Sequence, residues 1–136
     1  VIGIASQTAQ PLLGLAALVL PAIAAGNRIV AIPAEVFPAA ATELAQVFAS
    51  SGLPAGVVSF VSGPRDALAS VLAGHDEVAA LWYCGTPETA ARLRAETAAS
   101  LKPVWCPVPQ DWAAAPIRAT LAEAQQHKTI WLPYGA

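Results

Sequence analysis

Short β-branched or apolar runs alternate along the chain with longer segments whose apolar residues recur at three- and four-residue spacing. Strands are predicted over 1–5, 28–32, 57–61, 78–83 and 103–106, with a last one formed by Thr129, Ile130, Trp131 and Leu132. The intervening helical patterns cover 12–24, 38–51, 63–74, a stretch from Thr86 that fades before Lys102, and 116–126. Gly26-Asn27 closes the first helix, and Gly52 stands where a left-handed C′ glycine would end the second. Thr86-Pro87-Glu88 supplies an N-cap, a proline at the first helical position and an acid in the first turn. Strands alternating with helices of about 10–15 residues imply right-handed crossovers and a mostly parallel sheet. The expected fold is therefore α/β, doubly wound and Rossmann-like, flanked by helices over 1–127 and followed by a strand-like tail over 128–136.

Composition narrows the setting. A chain of 136 residues is one domain's worth, 56% of it hydrophobic and only 12% charged. Much of the apolar count is alanine, which suits close helix–sheet packing. So little charge predicts that part of the surface is covered by another domain or subunit. A net charge of −2 gives no reason to expect nucleic acid or an anionic membrane as partner. The uncharged stretch over 11–25 is shorter than the ~20 residues of a bilayer span, and Pro11, Gly14 and Pro21 interrupt it, so no membrane segment is expected. Cys84 and Cys106 make neither a disulfide framework nor a metal-ligand spacing, which favours a reduced, cytoplasmic setting. The start on Val1-Ile2-Gly3-Ile4, without methionine, reads as that of an excised domain.

In doubly wound folds ligands bind beyond the carboxyl ends of the strands, which directs attention to the turns after Ile32, Val61, Tyr83 and Cys106. Glu35 follows the second strand, where an acid can accept both hydroxyls of a ribose. An acid there can equally serve the dipole of a following helix, and one acid alone does not separate the two. Gly85-Thr86 leads into a helix N-terminus, where free backbone N–H groups and a hydroxyl make a possible phosphate site or simply a capped helix. Neither GxGxxG nor GxxxxGK[ST] occurs. His75 and His127 lack a second ligand at metal spacing and are read as structural, and no metal site is expected. Cys84 and Cys106 are read as packing residues, because no neighbouring base or cation is evident to form a thiolate. Trp82, Trp105, Trp112 and Trp131 fall at or just after strand positions, where aromatics fill a core or an interface. Trp131-Leu132-Pro133-Tyr134 would be a sticky edge unless paired.

Several segments in order resemble the coenzyme-binding region of the aldehyde dehydrogenase superfamily. They are Pro21-Ala-Ile-Ala-Ala-Gly26-Asn27 leading to Pro33-Ala34-Glu35, then Gly52-Leu-Pro-Ala-Gly56-Val57-Val58 with Gly63. His75-Asp-Glu-Val78, Gly85-Thr86-Pro-Glu88 (the family's "GST-E" turn) and Leu101-Lys102-Pro103-Val104 follow. The match runs over roughly residues 1 to 110, a length that fits one nucleotide-binding domain. In the same register the family's oxyanion-stabilising asparagine falls on Ala9, its ribose-binding lysine on Ile32 and its "ELGG" general-base glutamate on Pro107 of Cys106-Pro-Val-Pro-Gln110. The segment bearing the nucleophilic cysteine is missing, so no catalytic residue is expected.

The chain then resembles the family's C-terminal oligomerisation strand at Lys128-Thr129-Ile130-Trp131, an arrangement similar to the degenerate C-terminal domain of the family sixteen enzymes. That resemblance implies a parent enzyme oxidising aldehydes with NAD. It implies for this domain a non-catalytic role in assembly or as a structural cover, with an enzyme half or a second copy as partner through Thr129, Ile130, Trp131 and Leu132. The alternative is a residual NAD(P)-binding domain using Glu35, Gly85 and Thr86, with NAD or NADP bound weakly at most.

Overall fold

In the computed structural model, which describes residues 1–107 and 111–132, short strands and helices alternate from the start. They are β1 (Ile2–Ala5), α1 (Pro11–Ala24), β2 (Ile29–Ile32), α2 (Ala39–Ser50), β3 (Val58–Phe60), α3 (Arg65–Gly74), β4 (Ala80–Tyr83), α4 (Pro87–Thr97), β5 (Val104–Trp105) and α5 (Ile117–Glu123). The strands form one parallel sheet in the order β3-β2-β1-β4-β5. Ile4 stands opposite Ala31 on one side and Trp82 on the other. The order reverses beside β1, because the chain crosses from β3 at one edge to β4 on the far side. All four residues of β1 are buried, as a central parallel strand covered on both faces requires.

Alternation along the strands divides the core in two. Ile2, Ile4, Ile29 and Trp82 point to the face covered by α1, α2 and α5, where they meet Leu15, Leu18, Leu44 and Trp112. Ala5, Ile32, Leu81 and Tyr83 point to the other face, against Ala69 and Ala73 of α3 and Ala90 and Leu93 of α4. The sheet is thus doubly wound. Small residues set the spacing: a Cβ on Gly3 would lie 3.0 Å from Leu72 of α3, and one on Gly14 would lie 3.0 Å from the Trp112 indole. Gly14, an interruption in the sequence pattern, is what lets Trp112 lie on α1. Gly26 and Gly52 take positive φ just beyond α1 and α2, as their C′ positions predict.

Two polar anchors fix the far ends of the helices. The buried ammonium of Lys102 donates to the carbonyls of Leu72, Ala73 and His75, closing the C-terminus of α3. Burial pushes its pKa down although Asp76 pulls the other way. Asn27 donates through Nδ2 to the carbonyl of Ala124 at 2.8 Å, tying the end of α5 beneath the sheet.

The predicted elements form with shifts of a few residues, with two differences. The helix predicted over 116–126 is confined to Ile117–Glu123. Thr129, Ile130, Trp131 and Leu132 do not form a strand and do not join the sheet. β-propensity makes a strand only where a neighbour supplies the ladder of hydrogen bonds, and this segment pairs with none among the described residues. Pro133 and Tyr134, like Gln110, lie outside the described residues. No helix of the described residues is long and apolar enough to cross a membrane.

Candidate functional site

The carboxyl ends of β2 and β3 border an open cleft of ≈ 410 Å³ lined by Pro33, Ala34, Glu35, Pro38, Ser62, Gly63 and Pro64. Glu35 is exposed at its rim, and its Oε1 accepts the backbone N–H of Arg65 at 2.7 Å. The carboxylate therefore serves the first turn of α3, across the cleft, and not the N-terminus of α2 that follows it in sequence. Ile32, where the family resemblance sets a lysine, is wholly buried and packs on the α3/α4 face.

Gly85 and Thr86 lie beyond β4. Thr86 Oγ1 accepts the backbone N–H of Thr89 at 3.3 Å, an ordinary N-cap of α4. The reason for glycine at 85 is local: the Tyr83 hydroxyl occupies the position a Cβ would take. The space that could have admitted a ligand to this backbone holds the chain's own side chain.

A polar cluster that the sequence reading missed joins these two turns. Asp66, in the first turn of α3, accepts the Tyr83 hydroxyl at 2.7 Å and Arg65 Nε at 3.1 Å, with Thr89 Oγ1 a longer 3.5 Å away. Arg65 also donates through Nη1 to the Cys84 carbonyl at 3.0 Å, and its guanidinium lies 5.5 Å from the centre of the Tyr83 ring. Burial pushes the Asp66 carboxyl up, but the bonds from Tyr83 and Arg65 and the Arg65 charge outweigh it and hold its pKa below the usual value. Tyr83 is shifted up, by burial and then by its bond to that carboxylate. The signal available in the sequence was Arg65-Asp66 opening a helix and Tyr83 closing a strand. Only the crossover from β3 to β4 brings them together.

The remaining positions are chemically quiet. Ala9 is exposed in the turn before α1, and Pro107 is half-buried just past β5. Ser6, just past β1, is buried with no partner for its hydroxyl among the described residues. Cys84 packs on the α1 face, where burial pushes its thiol up to about 12. Cys106 packs on the opposite face and is also raised by burial. His75 accepts the backbone N–H of Glu77, and His127 is exposed beyond α5. Among the described residues no group of three His, Cys, Asp or Glu side chains could hold a metal ion.

A different kind of surface lies on the other side. Leu13, Ala16, Ala17, Leu20 and Pro21 of α1 form an apolar groove of ≈ 410 Å³ with Trp112, Ala113, Ala115, Ile117 and Thr120. Leu20 and Ile117 are 49% and 61% exposed. Of the four tryptophans, Trp82 and Trp112 are buried, Trp105 is half-buried against Trp82, and Trp131 is 90% exposed. Trp112 lies in the turn before α5, not at a strand.

The family model described as "Aldehyde dehydrogenase family" matches residues 9–108. A 2-aminomuconic 6-semialdehyde dehydrogenase of Pseudomonas sp is 36% identical over 106 residues, 76% of this chain and 21% of that protein. A betaine aldehyde dehydrogenase of Vibrio vulnificus is 38% identical over 84 residues, 62% of this chain and 17% of that protein. Among solved structures, a P. syringae indole-3-acetaldehyde dehydrogenase in complex with NAD+ superposes with a TM-score of 0.72 at 27% identity, covering 77% of this chain and 21% of that one. The chain thus spans about a fifth of the length of the relatives it matches.

Proposed function

The chain belongs to the aldehyde dehydrogenase family, and from that premise we propose that it is a non-catalytic member acting in assembly, or as a structural cover, for an NAD-dependent aldehyde dehydrogenase in the cytoplasm. The finer likeness, to the degenerate C-terminal domain of the family sixteen enzymes, belongs to the same proposal. The observation that carries it is the state of the thiols: both are raised by burial, Cys84 to about 12, so neither is poised as the nucleophile that aldehyde oxidation by this family's chemistry requires. Ala9 and Pro107 can neither donate a hydrogen bond from the side chain nor take a proton. The groove on α1 and the exposed Ile130, Trp131 and Leu132 supply apolar surface for an enzyme half or a second copy.

Sedimentation of the purified chain, alone and with an aldehyde dehydrogenase enzyme half, tests the assembly role. Association in either mixture is expected. A strictly monomeric chain in both would end it, and aldehyde-dependent NADH formation by the chain alone would end the non-catalytic assignment.

A second reading, a residual NAD(P)-binding domain, is favoured by the cleft beside Glu35. It would use Glu35, Gly85 and Thr86. Titration calorimetry with NAD and NADP tests it, weak binding at most being expected, and no heat with either would remove it.

A further inference from the structure

We propose that Asp66, Arg65 and Tyr83 form an internal latch that fills the anion seat between the first turns of α3 and α4 and keeps the pyrophosphate of a dinucleotide out. Such a seat is made of helix N-terminal N–H groups and their partial positive charge. Here α3 and α4 begin side by side beyond the sheet, and one first-turn N–H of each helix is already engaged. The Arg65 N–H is given to Glu35 and the Thr89 N–H to Thr86. A carboxylate, Asp66, already stands between the two helices and bonds to both sides, to Arg65 on α3 and to Tyr83 and Thr89 at β4 and α4.

Three consequences exclude a phosphate. The Asp66 charge repels it at a few ångströms' range, and the depressed pKa keeps that charge in place at neutral pH. The natural counter-charge, Arg65, is spent on Asp66 and on the Cys84 carbonyl, and only 19% of its side chain is exposed. The Tyr83 hydroxyl covers Gly85, where backbone would otherwise come close to a ligand at the start of α4. Glu35 gives one carboxylate oxygen to Arg65, but the cleft it borders stays open, so the exclusion lies at the helix starts and not at the cleft. The latch is independent of the assembly role, and a chain that associates can have it or lack it.

Fluorescence titration with NADH tests it, using the wild-type chain, Asp66→Ser and Tyr83→Phe. Wild type is expected to show no saturation up to millimolar NADH. Asp66→Ser, which removes the competing charge and frees Arg65, should tighten binding at least tenfold, and Tyr83→Phe, which removes the hydroxyl from Asp66 and from over Gly85 while the ring stays close, at least threefold. Micromolar binding by wild type would overturn the latch. So would two folded variants that bind no better than wild type. Should Asp66→Ser fail to fold, as judged by circular dichroism, Tyr83→Phe decides by itself: a gain upholds the latch and no gain overturns it.

Discussion

The two faces of the sheet use different means to finish their surfaces. On the α3/α4 face, apolar packing by Leu81, Tyr83 and Leu93 gives way at the carboxyl end to a polar network in which Arg65, Asp66, Tyr83 and Thr89 satisfy one another. Further out, Arg92 bonds Ser70 across to α3 and Glu96 within α4. On the α1/α5 face, packing continues through Trp82, Trp105 and Trp112 into leucines that remain in contact with water. Even the Trp112 indole N–H is buried without a partner among the described residues. The first face is closed by its own chain. The second exposes the kind of surface that a protein normally buries against something else, and that contrast is why assembly is sought on α1 and α5 and not on α3 and α4.

The contrast can be broken from either side. Trp82→Ala removes the largest buried side chain of the α1 face and should cost about 3–5 kcal/mol of unfolding free energy in urea. A loss below 1 kcal/mol would mean that the aromatic packing is not what holds that face. Cys84 and Cys106 report on the two faces separately. With its thiol pushed up to about 12, Cys84 carries almost no thiolate at pH 8 and should react with iodoacetamide on the order of a hundredfold slower than a free thiol. Cys106, less buried on the other face, should label first. Rapid labelling of Cys84 would show that the α1 face opens readily.

Lys102→Met sharpens the account of the α3/α4 face. It leaves the carbonyls of Leu72, Ala73 and His75 without their donor, and should cost about 2–3 kcal/mol with the loss concentrated in hydrogen exchange at the end of α3. Uniform exchange changes across the chain would argue against a local cap. The smallest effect on folding is expected at the groove. Leu20→Glu should change stability by no more than about 0.5 kcal/mol, since the side chain is half in water already. It should nonetheless weaken association with a second copy or an enzyme half in sedimentation. An unchanged association would move the docking surface away from α1.

The architecture was legible because hydrophobic period and turn chemistry agree along most of the chain. Gly26 and Gly52 end α1 and α2 where a C′ glycine is predicted, and Thr86-Pro87-Glu88 starts α4. The site was legible only in part. Glu35 lies beyond a strand end, as its place in the sequence predicts, but its partner, the Arg65 N–H thirty residues on, belongs to the next crossover. Gly85 suggested backbone left open for a ligand, whereas it is glycine to make room for the Tyr83 hydroxyl. Asp66 attracted no notice because a single acid in the first turn of a helix is common.

Local order along the chain determined the elements, the parallel α/β arrangement and the kinship with aldehyde dehydrogenases, because each rests on residues within a few positions of one another. What surrounds each polar group was decided by the tertiary structure alone. Side chains of β4, α3 and α4 meet only after two crossovers, and whether an acid receives a ligand or a neighbouring hydroxyl depends on which of them lies within hydrogen-bonding distance. The tail shows the same division: Ile130, Trp131 and Leu132 carry strand-forming preference, yet a strand needs an edge to pair with, and they pair with none among the described residues.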